Sequence, residues 1–419
     1  MTHGAHPRPD VTYGGRVRRA GGLLSGSTVV AAGMIGANAA AYGMTIVAAR
    51  LLVPRDLGAV TALLGILQIG TVVALSLQAV TARRIAVAPD QREATIGTVA
   101  RVSVAIALGT GLLTGLVTVA LVGALDLGSI WPALLTGATL VPLTIMGAMA
   151  GVAQGAERWG SLAAIYLANG FGRLVFGGGA MVIDPSVTSC LIGLAIGSWA
   201  PVLAGLPQLR RRSADGPPES RRPFLREAVL GSHALLAFYA LGNADALLAR
   251  LLLSPHDSGL YSAGLILSKA AVFLPQFVSI VFFPLLARDE TSRSRHRAVL
   301  GVAVLGLLAT VATALLPRLA LVAVGGDQYA EIADRLWMFV LAGSLLSIVN
   351  LLVWDALARH AHGIVTSLWI ALTSLVVATV VLQVGIVGLV ASVITVALAL
   401  VAFVLVAPTA RARSITTGA

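Results

Sequence analysis

The sequence predicts an all-α polytopic membrane protein, with about twelve transmembrane helices in two six-helix parallel repeats around a central cavity. Three observations predict it. Hydrophobic residues make up 57% of the 419-residue chain, mean hydropathy is +0.91 and only 11% of residues are charged, a balance foreign to soluble domains. Apolar stretches of about twenty residues, enough to cross a hydrocarbon core about 30 Å thick, recur from end to end. The third observation is an internal repeat. Ala49 to Gly58 reads ARLLVPRDLG and Ala249 to Gly259 reads ARLLLSPHDSG; with one residue inserted after Leu253, nine of eighteen positions through Ile66 and Leu267 are identical.

Spans one to twelve are expected near 23–48, 57–80, 97–123, 128–151, 160–183, 187–207, 228–249, 259–286, 298–317, 335–357, 364–383 and 386–407. The longest polar interruption, Arg210 to Arg226, contains RRRSADGPPESRRP and divides the spans six and six. The expected organisation is an N-terminal lobe over 1–206, a cytoplasmic linker over 207–227 and a C-terminal lobe over 228–419. A net charge of +11 would suggest nucleic acid as a partner of a soluble protein. Here the basic residues alternate along the chain: with both termini cytoplasmic, twenty-one fall on inner segments and five on outer ones, as the positive-inside rule requires. The first apolar run is too long for a typical cleaved signal and reads as an uncleaved span. The single Cys190 lies inside span six, so no intrachain disulfide can form, and its expected role is packing.

Because both copies of the repeat start from the same side of the membrane, the halves are parallel and related by an axis along its normal, the arrangement of a transporter-type body. An offset of 200 places Asp245 opposite Thr45, and an offset of 201 places Lys269 opposite Gln68. Glycines four apart, Gly111 with Gly115 and Gly193 with Gly197, are expected to let helices approach closely in lipid.

A charge inside a span is costly and marks a cavity or a partner. Lys269, the one lysine of the chain, sits in span eight, Arg173 near the centre of span five, Asp245 in span seven beside Asn243, and Asp355 near the end of span ten. Lys269 and Arg173 suit an anionic head group, because arginine offers a planar donor fork and lysine a compact charge; neutralisation by Asp245 is the structural alternative. Asn38, Gln68, Gln78, Asn169, Gln276 and Asn350 add uncharged polar groups in the same spans, able to bond sugar hydroxyls or neighbouring helices. The substrate-site candidates are therefore Lys269, Arg173, Asp245, Gln68, Asn38 and Gln276.

Enzyme signatures are absent. GFGRLVFGGG from Gly170 to Gly179 has Val175 where a dinucleotide fingerprint needs its third glycine, and no GxxxxGK[ST] loop exists. His360 and His362 are too few for a metal site. Neither a catalytic role nor a cofactor is expected, and transport would draw on a proton or sodium gradient or on consumption of the product.

NADALLARLLLSPHDSGLYSAGLIL followed by FFPLLARDE, over Asn243 to Glu290, resembles the start of the second half of bacterial polysaccharide-exporting flippases. These belong to the multidrug, oligosaccharidyl-lipid and polysaccharide (MOP) exporter superfamily. The shared features are an aspartate in span seven, here Asp245, a Gly-x-Tyr opening span eight, here Gly259 and Tyr261, and a Phe-Pro closing it, here Phe283 and Pro284. RLLVPRDLGAVTALLGILQ in the first half, YAEIADRLWMFVLAGSLLSIVN before span ten and VGIVGLVASVITVAL in span twelve are similar to the family as well. The resemblance implies a MATE-like fold in the bacterial cytoplasmic membrane. It also implies a flippase that moves a polyprenyl-diphosphate oligosaccharide for cell-surface polysaccharide synthesis by alternating access. Membrane lipids and other glycan-assembly membrane proteins are the implied partners, and nucleic acid is not. Family cavities are lined by spans one, two, seven and eight, which hold Asn38, Gln68, Asp245 and Lys269 but not Arg173. A MATE-type drug or cation antiporter is the first rival. A major-facilitator transporter is the second, although the loop TARRIAVAPDQREATIG lacks that family's G-x-x-x-D-x-x-G-R-R-like pattern.

Overall fold

The computed structural model describes residues 13–210, 221–272, 292–358 and 363–406. Gln276, the Phe283–Pro284 pair, His360, His362 and positions 211–220 of the arginine-rich run lie outside them.

The first lobe comprises α1 (Tyr13–Leu51), α2 (Pro54–Val87), α3 (Arg92–Ala120), α4 (Trp131–Gly155), α5 (Trp159–Gly172), α6 (Gly179–Ile183), α7 (Val187–Gly197) and α8 (Ala200–Arg210). The second comprises α9 (Arg221–Leu252), α10 (Pro255–Val272), α11 (Ser292–Leu315), α12 (Pro317–Val324), α13 (Leu336–Ala358), α14 (Gly363–Leu382) and α15 (Ile386–Val406). Over the described residues, each of the twelve expected spans falls on helix. Among those residues nine helices are long and apolar enough to cross a membrane, ten if the bent pair α11 and α12 is counted as one. The protein is a multi-pass membrane protein. At the two ends of the polar segment, α8 runs to Arg210 and α9 starts at Arg221.

Among the described residues three spans depart from regular helix, span six only at the turn over residues 198–199 between α7 and α8. Span five is a continuous helix with a π-helical turn, Arg173–Gly178, between α5 and α6; the wider turn inserts a residue and re-aims the side chains around it. Past α11 the chain turns by 100° into α12 and then forms a 3-10 segment, Asp327–Arg335, in place of the plain outer loop that the sequence predicts. Pro317 at the start of α12 explains the break, because proline cannot donate to the preceding turn.

Helix packing follows the small residues. A Cβ on Gly137 of α4 would meet the Gly115 backbone of α3 at 2.8 Å, and one on Gly197 of α7 would meet the Gly172 carbonyl carbon at 2.7 Å. The expected close approach at Gly111/Gly115 and Gly193/Gly197 is therefore real, and any side chain there would push backbones apart. Cys190 is fully buried beside Leu191 and Leu194 in the first-lobe core. The second lobe is built around Tyr261 and Phe339, whose rings pack edge to face with centroids 5.0 Å apart; such a pair contributes about 0.5–1.5 kcal/mol beyond its buried area.

The two copies of the repeat meet face to face. A Cβ on Gly259, at the start of α10, would overlap the Pro54 carbonyl at the start of α2, and one on Gly58 would lie 3.1 Å from the Gly259 nitrogen. The lobes are thus sealed at this end, and α2 packs against both α9 and α10.

Candidate functional site

Arg250, at the end of α9, is the centre of the seal. It is 4% exposed, and its guanidinium donates to the carbonyls of Leu125 at 2.7 Å, Asp126 at 2.9 Å and Arg55 at 3.1 Å and to Ser258 Oγ at 3.1 Å. Leu125 and Asp126 belong to the loop between α3 and α4 of the other lobe. Asp126 has φ 45°, a left-handed conformation that aspartate tolerates better than most residues. A reciprocal contact comes from the second lobe: Tyr329 Oη and Gln328 Nε2 donate to the Ala49 carbonyl at the end of α1, at 2.9 and 2.5 Å. Outside these, two exposed pairs mirror one another, Arg55 with Asp126 at 2.8 Å and His256 with Glu331 at 3.1 Å.

Below the seal, on the side toward the segment joining the lobes, lies a cavity of about 530 Å³ between them. A second of about 180 Å³ sits nearer the seal and shares five of its walls: Asn38, Gln68, Arg173, Leu265 and Lys269. Five of the six expected site residues line the larger cavity: Asn38 from α1, Gln68 from α2, Arg173, Asp245 from α9 and Lys269 from α10; the sixth, Gln276, is outside the described residues. The pairing of Gln68 with Lys269 by the repeat puts both on the wall of both cavities, whereas Thr45, the counterpart of Asp245, lines only the smaller.

Lys269 Nζ donates to Asn243 Oδ1 at 2.9 Å and makes no contact ion pair among the described residues. Asp245 is 5% exposed; its carboxylate accepts the Ala246 N–H at 2.8 Å and faces the Tyr261 hydroxyl at 3.5 Å. The direct neutralisation of Lys269 by Asp245 is thus not the arrangement seen. The Arg173 side chain has no hydrogen bond or ion pair with any described residue. It reaches the cavity from span five, whose inner face reads Tyr166, Asn169 and Arg173 at i, i+3 and i+7, and all three line the wall. Asn169 and Arg173 are visible in the sequence as polar residues of an apolar span, and their face extends the lining beyond spans one, two, seven and eight. Tyr166 and Tyr239 give no such signal in the sequence, because a lone tyrosine at an apolar face does not differ from core.

No protein-family model matches the chain, and no curated protein does. Solved structures do. The lipid II flippase MurJ in an inward closed conformation aligns at TM-score 0.71 with 10% identity, covering 91% of this chain and 87% of that one. An inward-facing multidrug resistance MATE family transporter of the MOP superfamily aligns at 0.66 with 12% identity, over 89% and 94%. The outward-facing conformation of a transporter of that description aligns at 0.57 with 11% identity, over 90% and 93%. At such identities the likeness is one of architecture: the chain has the fold of the transporters of the MOP superfamily.

Proposed function

We propose that the chain is a flippase for a polyprenyl-diphosphate-linked oligosaccharide in the bacterial cytoplasmic membrane. The observation that carries this reading is the charge balance of the cavity. Among the described residues, the charged side chains lining it are two cations, Arg173 and Lys269, and one acid, Asp245, which is bound within its own lobe. Arg173 lacks a partner among the described residues, so an anionic ligand would offset the cost of holding it away from water. A bidentate fork and a point charge together suit a diphosphate. With both termini cytoplasmic, as the arginine distribution predicts, the sealed end faces outward and the cavity receives cargo from the inner leaflet. Rocking of the lobes about the repeat axis would then break the seal and expose the cargo outside.

The competing reading, a MATE-type drug or cation antiporter, rests on Asp245 as the acid that exchanges a proton for a cation. The test is mass spectrometry of polyprenyl-diphosphate saccharides from cells with and without the protein, alongside surface glycan. Accumulation of a lipid-linked oligosaccharide with loss of its surface polymer is expected; no change in either removes the flippase reading and brings the antiporter forward.

A further inference from the structure

The first-lobe wall carries a second polar group, distinct from the cations and free of charge. Gln78 follows Gln68 by ten residues on α2, which places it about 15 Å further from the seal at 1.5 Å per residue. It is 8% exposed, and its Nε2 donates to Gln154 Oε1 at 2.8 Å and to Tyr166 Oη at 2.7 Å. This bonding fixes the polarity of both groups. With its two amide hydrogens committed, Gln78 keeps Oε1 as an acceptor; with its oxygen accepting from Gln78, Tyr166 keeps its proton as a donor. Neither is used by any described residue, and both residues line the cavity. On the same cavity, Asn169 of α5, three residues on from Tyr166, and Asn350 of α13 present side-chain oxygens that are buried without a donor among the described residues, a state that ordinary interiors avoid.

We propose that Gln78 and Tyr166, positioned by Gln154 and sharing the cavity wall with Asn169 and Asn350, form a hydroxyl-recognition subsite that reads the sugar part of the cargo. The proposal deepens the flippase reading and rests on it for the assignment of the diphosphate to Lys269 and Arg173. An adjacent donor and acceptor match a sugar hydroxyl, which gives one hydrogen bond and takes one. An apolar drug would leave both dry, and a second anion would meet the Gln78 oxygen. Phe238 and Tyr239 on the same cavity supply rings for the C–H face of a sugar.

The test uses the full-length protein in lipid nanodiscs and measures binding of undecaprenyl diphosphate, bare or carrying one hexose, N-acetylhexosamine or deoxyhexose. Alkyl glycosides without phosphate form a parallel set. Wild type is expected to bind at least one glycosylated carrier about tenfold more tightly than the bare one. Tyr166→Phe, which keeps the ring, should remove most of that advantage and leave bare-carrier affinity unchanged, and Gln154→Ala should do the same by releasing Gln78. Lys269→Ala should weaken bare and glycosylated carriers alike. Absence of any sugar preference in wild type, or equal weakening of all carriers by Tyr166→Phe, overturns the subsite. Alkyl glycosides whose binding depends on Tyr166, with no binding of the bare carrier, would uphold the subsite and remove the flippase reading.

Discussion

Arg250 donates to the backbone carbonyl of Asp126 at 2.9 Å while its guanidinium lies 3.7 Å from the Asp126 carboxylate, tying the end of α9 to the α3–α4 loop of the opposite lobe. The end of α1 is tied in the reverse direction, with Ala49 held by Tyr329 and Gln328. Each lobe thus grips the other where the last turn of its first helix meets a loop. Both must be released for the sealed end to open.

The two arginines on Asp126 are predicted to differ sharply in importance. The Arg250 side chain is 1% exposed and that of Arg55 58%. An exposed pair contributes about 0–1 kcal/mol, whereas a buried charged hydrogen bond contributes about 1.5–3 kcal/mol. Arg250→Ala should shift the equilibrium toward an open seal by at least about tenfold, and Arg55→Ala by no more than about fivefold. A Thr61→Cys probe on the wall of the smaller cavity, labelled by an externally added maleimide, reads this directly because Cys190 is buried. Equal labelling of the two variants would show that Arg250 does not hold the seal.

Gly259 is the second point of control. Its missing side chain lets the start of α10 rest on the Pro54 carbonyl, a backbone atom that cannot swing away. Gly259→Ala should part α2 from α10 and raise labelling of the Thr61→Cys probe to near that of Arg250→Ala. Gly58→Ala meets first a side-chain atom, the Ser258 hydroxyl, with the nearest backbone at 3.1 Å, so its effect should be the smaller. The reverse order would mean that Gly259 serves folding and not the gate.

These contacts show why some features are legible in the sequence and others are not. The repeat is legible because both copies need the same residues at the same crossing: a proline to start the helix, a glycine to let it pass. Lys269 and Gln68 are legible because a polar residue in an apolar span is costly, and the repeat puts them at one depth. The role of Arg250 is not, since it sits at a span end where an arginine ordinarily meets water; what buries it is the α3–α4 loop, about 125 residues away in sequence. Nor is the Gln78–Tyr166 bond, which joins two spans whose proximity no local pattern announces. The bend into α12 and the 3-10 segment read as a plain loop because their tertiary contacts with Ala49 hold them.

On the Ala49 side the two donors should behave as partners. Tyr329→Phe and Gln328→Ala should each cost about 1 kcal/mol or less, because the other still satisfies the carbonyl. The double variant leaves that carbonyl unpaired, and its loss should exceed the sum of the singles by about 1 kcal/mol. Thermal unfolding in detergent, with the four proteins as a double-mutant cycle, measures the coupling. Strict additivity would mean that only one of the two bonds operates in the sealed state.

Lys269 and Arg173 are predicted to act on the cargo and not on stability. Arg173 has no bond to a described residue to lose, and Lys269 has one, to Asn243, so Arg173→Met and Lys269→Met should leave thermal stability unchanged or raise it as charge leaves the membrane interior. Export of lipid-linked glycan should fall at least tenfold in either variant, and the double variant should lose no more than the two losses combined, since the two cations reach the site from different lobes and do not touch. Lys269→Arg should retain more export than Lys269→Met, because the charge remains although the point-like geometry is lost. Asn243→Leu distinguishes a bound lysine from a free one: without the Asn243 oxygen the ammonium loses its anchor, and export should drop while insertion stays at wild-type level and melting falls, because a buried cation is left unpaired. If Asn243→Leu and both cation variants exported normally, the polar wall would be a packing feature and the cargo would have to be sought elsewhere in the cavity.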